Sequence, residues 1–102
     1  MKFNFAVVTP MANEKEDFQP FVASLTEVLN LLDCGRVYFV VDSVSKDNTL
    51  ELCRNLASND QRFVTVWAPE NKNVVDAYLR GYQEALLNKH DFIIEMDVKR
   101  SG

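Results

Sequence analysis

Residues 36–49 read RVYFVVDSVSKDNT, and this stretch decides the fold. Val37, Tyr38, Phe39, Val40 and Val41 are β-branched or aromatic with no polar alternation, which is how a strand buried on both faces of a parallel sheet reads. Asp42 ends the run. Ser43, Val44, Ser45 and Lys46 follow as a turn, and Asp47 is placed to cap a new helix by accepting free amide hydrogens of its first turn. Strand, turn and helix therefore meet at a carboxylate. In open α/β sheets, ligands bind outside the carboxyl ends of the strands, where Asp42 stands.

Working outward, Phe3 to Thr9 reads as a first strand with Phe5–Val8 as its apolar centre. Pro10 is expected to end it, having no amide hydrogen for the ladder. Met11 to Glu16 is a polar connection. Phe18, Phe21, Val22, Leu25, Val28, Leu29 and Leu32 recur at helical spacing, and the helix closes near Asp33–Gly35, with Gly35 as its terminator. Leu50, Cys53, Leu56 and Ala57 mark a second helix to about Ser58. Arg62 to Trp67 reads as a third strand, and Ala68 to Asn73 as a loop. Val75, Tyr78, Leu79, Tyr82, Ala85 and Leu86 mark a third helix. Asp91 to Asp97 is a fourth strand. The order βαβαβαβ predicts a parallel three-layer α/β sheet with right-handed crossovers. No linker interrupts it, so residues 1–102 are expected to form one domain, the N-terminal portion of a longer sheet.

Composition narrows the function. Of 102 residues, 47% are hydrophobic and 25% charged, ordinary for a globular domain. The net charge of −4 argues against a nucleic-acid backbone binder, which needs a basic face. Cys34 and Cys53 lack metal-site spacing and read as reduced thiols, which points to the cytoplasm. The N-terminus is too quickly polar for a signal peptide, and no apolar run approaches the roughly 18 residues of a membrane span.

The strand ends collect the candidate chemistry. They offer Thr9 with Asn13 and Glu14, then Asp42, then Glu70, Asn71 and Lys72, then Asp97. Carboxylates from separate strands would converge on one crevice, and such oxygen donors suit Mg²⁺ or Mn²⁺ with a diphosphate. Strand-end Asp residues also serve as caps. Asp47 reads as a cap, Asp42 alone reads either way, and Asp42 together with Asp97 favours a site. Singly, Glu14 reads as a surface acid and Asn13 as a turn residue. His90 reads as a solvated turn, Trp67 as core, Lys72 as solvated, and Arg80 as either. No glycine-rich phosphate cradle and no GxSxG elbow is present.

At these residues the sequence resembles glycosyltransferase family 2, of the GT-A fold. FAVVTPMANE is similar to the family's opening strand and I-P-x-x-N-E turn, through Pro10, Asn13 and Glu14. VVDSVSKDNT is similar to V-D-D-G-S-x-D-x-T, through Asp42, Ser45, Asp47 and Thr49. NKNVVDAYLRGYQEA resembles the N-x-G-x-x-x-A-x-x-x-G-x-x-x-A helix, through Asn71, Ala77, Gly81 and Ala85. DFIIEMD resembles the strand leading to the D-x-D metal motif, with Asp97 as its first aspartate. The EMD ending looks most like the polyprenyl-phosphate mannosyl- or glucosyltransferase branch.

The resemblance implies a glycosyltransferase using a nucleotide-diphosphate-sugar donor, held by Thr9, Pro10, Asn13, Glu14, Asp42, Asn71 and Asp97. Asp42 would contact the base, and Asp97 would hold a divalent metal. Ser43, Val44 and Asn73 depart from the pattern, and Lys99 stands where the second D-x-D aspartate is expected. The family's catalytic base and acceptor site are expected beyond residue 102, so the chain is expected to be the donor-nucleotide half and inactive alone. An open sheet edge would invite a homodimer. Two other readings compete. A related nucleotidyltransferase would carry a glycine-rich basic signature that TPMANEKED lacks. A non-catalytic α/β binding module would use Asp42 and Asp97 as caps.

Overall fold

The computed structural model describes residues 4–32, 35–42 and 47–98. Ser43–Lys46, Asp33, Cys34 and Lys99, each read above, lie outside the described residues. The elements follow in the order β1 (Phe5–Met11), α1 (Phe18–Leu32), β2 (Gly35–Val41), α2 (Thr49–Asn59), β3 (Phe63–Trp67), α3 (Val74–Leu87) and β4 (Phe92–Glu95). The four strands form one parallel sheet in the order β3-β2-β1-β4. The α/β alternation expected from the sequence is the alternation observed.

Strand order fixes the layers. The chain steps from β1 to β2 to β3 in one direction, so right-handed crossovers put α1 and α2 on the same face. It then passes back over β2 and β1 to reach β4, which puts α3 on the other face. The core divides accordingly. Phe18, Val22, Leu25 and Leu29 of α1 and Cys53 of α2 pack with Phe5, Val7, Met11, Val37, Phe39 and Val41. Ala77 and Ala85 of α3 pack with Ala6, Val8, Tyr38 and Val40. Both faces of β1 and β2 are thus covered, which is why their sequences carry no polar alternation. Phe39 stacks on Phe63 at 5.7 Å and meets Phe18 at 5.9 Å. Such aromatic pairs contribute roughly 0.5–1.5 kcal/mol each beyond their buried area.

Several boundaries differ from expectation for physical reasons. Pro10 does not end β1; it pairs with Val40, and the strand continues to Met11. Asn4 and Val8 carbonyls accept from Asp91, Phe92 and Met96 amides, so the even-numbered backbone groups of β1 face β4. β4 pairs only as far as Val8. The Met96 amide bonds to the Val8 carbonyl, so the next rung of a parallel ladder would run from residue 10 to the Met96 carbonyl; Pro10 has no hydrogen to give, and the β1–β4 pairing stops there while the β1–β2 pairing continues.

Gly35 does not terminate α1. It opens β2 opposite Phe5, and a Cβ there would run into the Phe5 ring. Gly81 marks the other close approach: a Cβ on it would collide with Val8, so its absence lets α3 lie directly on β1. Trp67, expected in the core, is 40% exposed at the end of β3. No helix among the described residues is long and apolar enough to cross a membrane.

Candidate functional site

The carboxyl ends of β1, β2 and β4 border one crevice of about 270 Å³, closed on its remaining side by the start of α3. Pro10, Met11 and Ala12 come from the end of β1, and Glu14 from the turn beyond it. Asp42 follows β2 directly. Lys72, Asn73, Val74 and Ala77 come from the β3–α3 loop and the first turns of α3, and Asp97 lies two residues past β4. Four of the residues selected from sequence thus share the crevice: Pro10, Glu14, Asp42 and Asp97. A larger, shallower depression of about 760 Å³ borders Lys15, Asp47 and the outer side of α2. It draws on one helix and two loops, whereas the crevice gathers three strand ends, so the crevice is the candidate site.

The other three expected site residues stand apart from its lining. Thr9 is fully buried within β1, and strand alternation with Val7 and Met11 puts its side chain in the α1/α2 layer. Its Oγ1 has no hydrogen-bond partner among the described residues. Asn71 is 8% exposed; its amide nitrogen donates to the Ala68 carbonyl at 3.1 Å, and its side-chain Nδ2 has no hydrogen-bond partner among the described residues. Asn13 takes a left-handed backbone, φ 56°, and its Oδ1 accepts from the Asp47 amide at 3.3 Å. Asparagine adopts that conformation more readily than most residues.

The start of α3 is organised by its caps. Asn73 is the N-cap, and its side chain accepts from the Asp76 amide at 2.9 Å. Asp76 in turn accepts from the Lys72 amide at 3.0 Å. This reciprocal pattern satisfies amide hydrogens that the first helical turn leaves open. It gives Asn73 a reason to stand where the resembled family often has glycine. The exposed Arg80–Glu70 pair, at 2.6 Å, fastens α3 to the preceding loop. Arg80 is therefore engaged away from the crevice lining.

Electrostatics at the β4 end link three side chains. Burial raises the Tyr78 hydroxyl above its ordinary range, and the charges of Asp97 and Glu95 push it the same way. The described residues contain no cluster of three or more His, Cys, Asp or Glu side chains able to hold a metal ion by themselves. Asp42 and Asp97 nonetheless place two hard oxygen donors in one crevice. That set fits an ion such as Mg²⁺, which commonly takes one or two carboxylates and completes its shell with water and phosphate.

Away from the site, His90 corrects its sequence reading. It is half-buried, not a solvated turn, with Nε2 2.7 Å from the Tyr38 hydroxyl and Nδ1 2.8 Å from Asn4 Oδ1. Asp47 lies one residue outside the helix cap, which is Asn48; it still serves α2, because its Oδ1 accepts from the Thr49 amide at 3.0 Å. The role of Thr49 was not legible beforehand. It is a buried polar residue hydrogen-bonded to the turn after β1, and no local pattern signals a contact across 35 positions.

No curated protein matches the chain. One family model, described as glycosyl transferase family 2, matches residues 6–98.

Proposed function

The chain belongs to glycosyltransferase family 2, and from that premise we propose that its crevice holds the nucleotide diphosphate of a sugar donor. Its parallel α/β sheet is consistent with the N-terminal part of a GT-A fold. We take residues 1–102 as one nucleotide-sugar-binding domain, the donor half of the transferring enzyme. The observation that carries the reading is the meeting of Pro10, Glu14, Asp42 and Asp97, from three strand ends, beside the start of α3.

In this proposal Asp42 accepts hydrogen bonds from the nucleoside, and Pro10 and Glu14 form the wall against it. Asn71, buried and set back from the crevice lining, holds the loop that leads into α3 through its backbone bond to Ala68. The N-terminus of α3 faces the diphosphate with its amide ends, which favour an anion. Asp97 would hold a divalent ion such as Mg²⁺ or Mn²⁺, which would supply positive charge against that developing on the leaving diphosphate. In the transfer, the bond from the anomeric carbon to the diphosphate oxygen breaks as an acceptor oxygen bonds that carbon from the opposite face. The acceptor proton passes to a base, and the anomeric configuration inverts. The polyprenyl-phosphate class of acceptor belongs to this proposal on the strength of the EMD ending alone.

Isothermal titration of UDP and GDP, each with and without Mg²⁺, tests the assignment on the wild type and on Asp42→Ala and Asp97→Ala. Each substitution is expected to weaken the preferred nucleotide about tenfold or more, as loss of a charged hydrogen-bond partner does. The circular dichroism spectrum should stay unchanged. Variants that unfold, or that bind as well as the wild type, would show these carboxylates to be structural caps and the chain a binding module of another kind.

A further inference from the structure

Three hydrogen bonds tie the turn after β1 to the start of α2. The Glu14 amide donates to Thr49 Oγ1 at 2.9 Å, the Lys15 amide to Asp47 Oδ2 at 3.1 Å, and the Asp47 amide to Asn13 Oδ1 at 3.3 Å. The Thr49 hydroxyl is the centre of this arrangement. It is fully buried, donates its own hydrogen to Asp47 Oδ1 and receives that of the Glu14 amide. Asp47 thereby fixes the direction in which the hydroxyl can accept. The left-handed Asn13 turns the chain so that the Glu14 and Lys15 amides both face residues 47–49. Glu14 is itself buried and lines the crevice, whereas neither Thr49 nor Asp47 does.

We propose that Thr49 and Asp47 are positioning residues: they hold Glu14 in the crevice wall and so set the affinity for the nucleotide, without touching it. This rests on the donor-nucleotide reading of the crevice. The argument is one of geometry. A polar turn after a strand has many backbone states, and here two consecutive amides are pinned from another loop. Asn13, directly before the pinned amides, is the residue whose left-handed backbone redirects the chain. Removing the Thr49 hydroxyl leaves the Glu14 amide without this acceptor inside the protein, which favours a different course for the turn.

The test pairs amide hydrogen exchange with nucleotide titration on the wild type, Thr49→Val, Thr49→Ser and Asp47→Asn. Thr49→Val keeps the shape and removes the hydroxyl; Thr49→Ser keeps the hydroxyl. The Glu14 amide is expected to exchange about tenfold faster or more in Thr49→Val, with the Val8 and Val40 amides unchanged. UDP or GDP affinity with Mg²⁺ should fall by about the same factor, and both readouts should recover in Thr49→Ser. Asp47→Asn, on an exposed residue, keeps one acceptor oxygen and should release the Lys15 amide. It serves as the second probe if Thr49→Val does not fold. Unchanged exchange at Glu14 and Lys15 would overturn the clamp. Faster exchange with unchanged affinity would overturn its positioning role while leaving the nucleotide site standing. A wild type that binds neither nucleotide would overturn the donor-nucleotide reading and the positioning role with it; the exchange data would then bear on the clamp alone.

Discussion

Single residues in this protein take their character from burial. Asn4 Oδ1 can only accept, so His90 Nδ1 carries the proton and Nε2 accepts from Tyr38. Burial, seconded by the Arg36 charge, lowers the pKa of the ring; Asp91 opposes them. The folded state therefore binds the proton less readily than the unfolded chain, whose histidine titrates near about 6.5. Stability from this source is whole above that value and declines as pH falls through it towards the folded pKa. Urea midpoints at pH 7.5 and 5.5 should drop further for the wild type than for His90→Gln; equal drops would count against the account. Cys53 follows the same logic. Burial pushes its thiol up to about 12, so at pH 8 the nucleophilic thiolate is scarce. Peptide mapping after iodoacetamide should find Cys53 unmodified in the folded protein and modified in urea. Burial of Cys53 was read from the sequence; that of His90 was not, because its partners are separated from it by 52 and 86 positions.

Elements are held together by close approaches that glycine permits. Gly81→Ala tests the contact of α3 with β1. A helical Gly→Ala change gains up to about 1 kcal/mol in propensity, while overpacking a filled core costs about 1–3 kcal/mol. The collision with Val8 should win, giving a net loss near 1 kcal/mol in urea unfolding. Val8→Ala should remove the collision, so that Gly81→Ala in that background is neutral or stabilising. Additive effects of the two substitutions would contradict the packing argument.

The existence and order of the elements were legible, because apolar runs and helical spacing report burial directly. Their limits were less so. Pro10 stays in β1 because its missing amide is on the β4 side and leaves the pairing with β2 intact, a fact of strand order and not of local sequence. Trp67 is an apolar residue at the last position of an edge strand, so its chemistry alone misplaced it.

At the scale of the whole molecule, the sheet presents an uneven pair of edges. Along β4 the even-numbered backbone groups face β1, so those of Ile93 and Glu95 face outward, and no described strand pairs with them. Phe92, Ile94 and Met96 share one face of that strand and are each more than a third exposed, and Ile94 and Met96 border an apolar cleft with Val28 of α1. Such an edge is a template for another strand. We propose that a second copy pairs there. Sedimentation should reveal a concentration-dependent dimer that Ile94→Lys abolishes; a monomer at all concentrations would contradict it.

The family resemblance implied seven site residues, most of which also stand after strands, and the fold brings Pro10, Glu14, Asp42 and Asp97 to one crevice. Thr9 points into the α1/α2 layer because an odd register in β1 faces that way, and Asn13 is taken up by Asp47. Strand-end position was readable; the face of the strand and the partners across loops were not.

The most direct measurement is an NMR titration of the chain with UDP and then GDP, with and without Mg²⁺. The account predicts metal-dependent shifts confined to the crevice, at Glu14, Asp42, Ala77 and Asp97, for one nucleotide over the other. Shifts confined to the outer side of α2, or none at millimolar nucleotide, would contradict it.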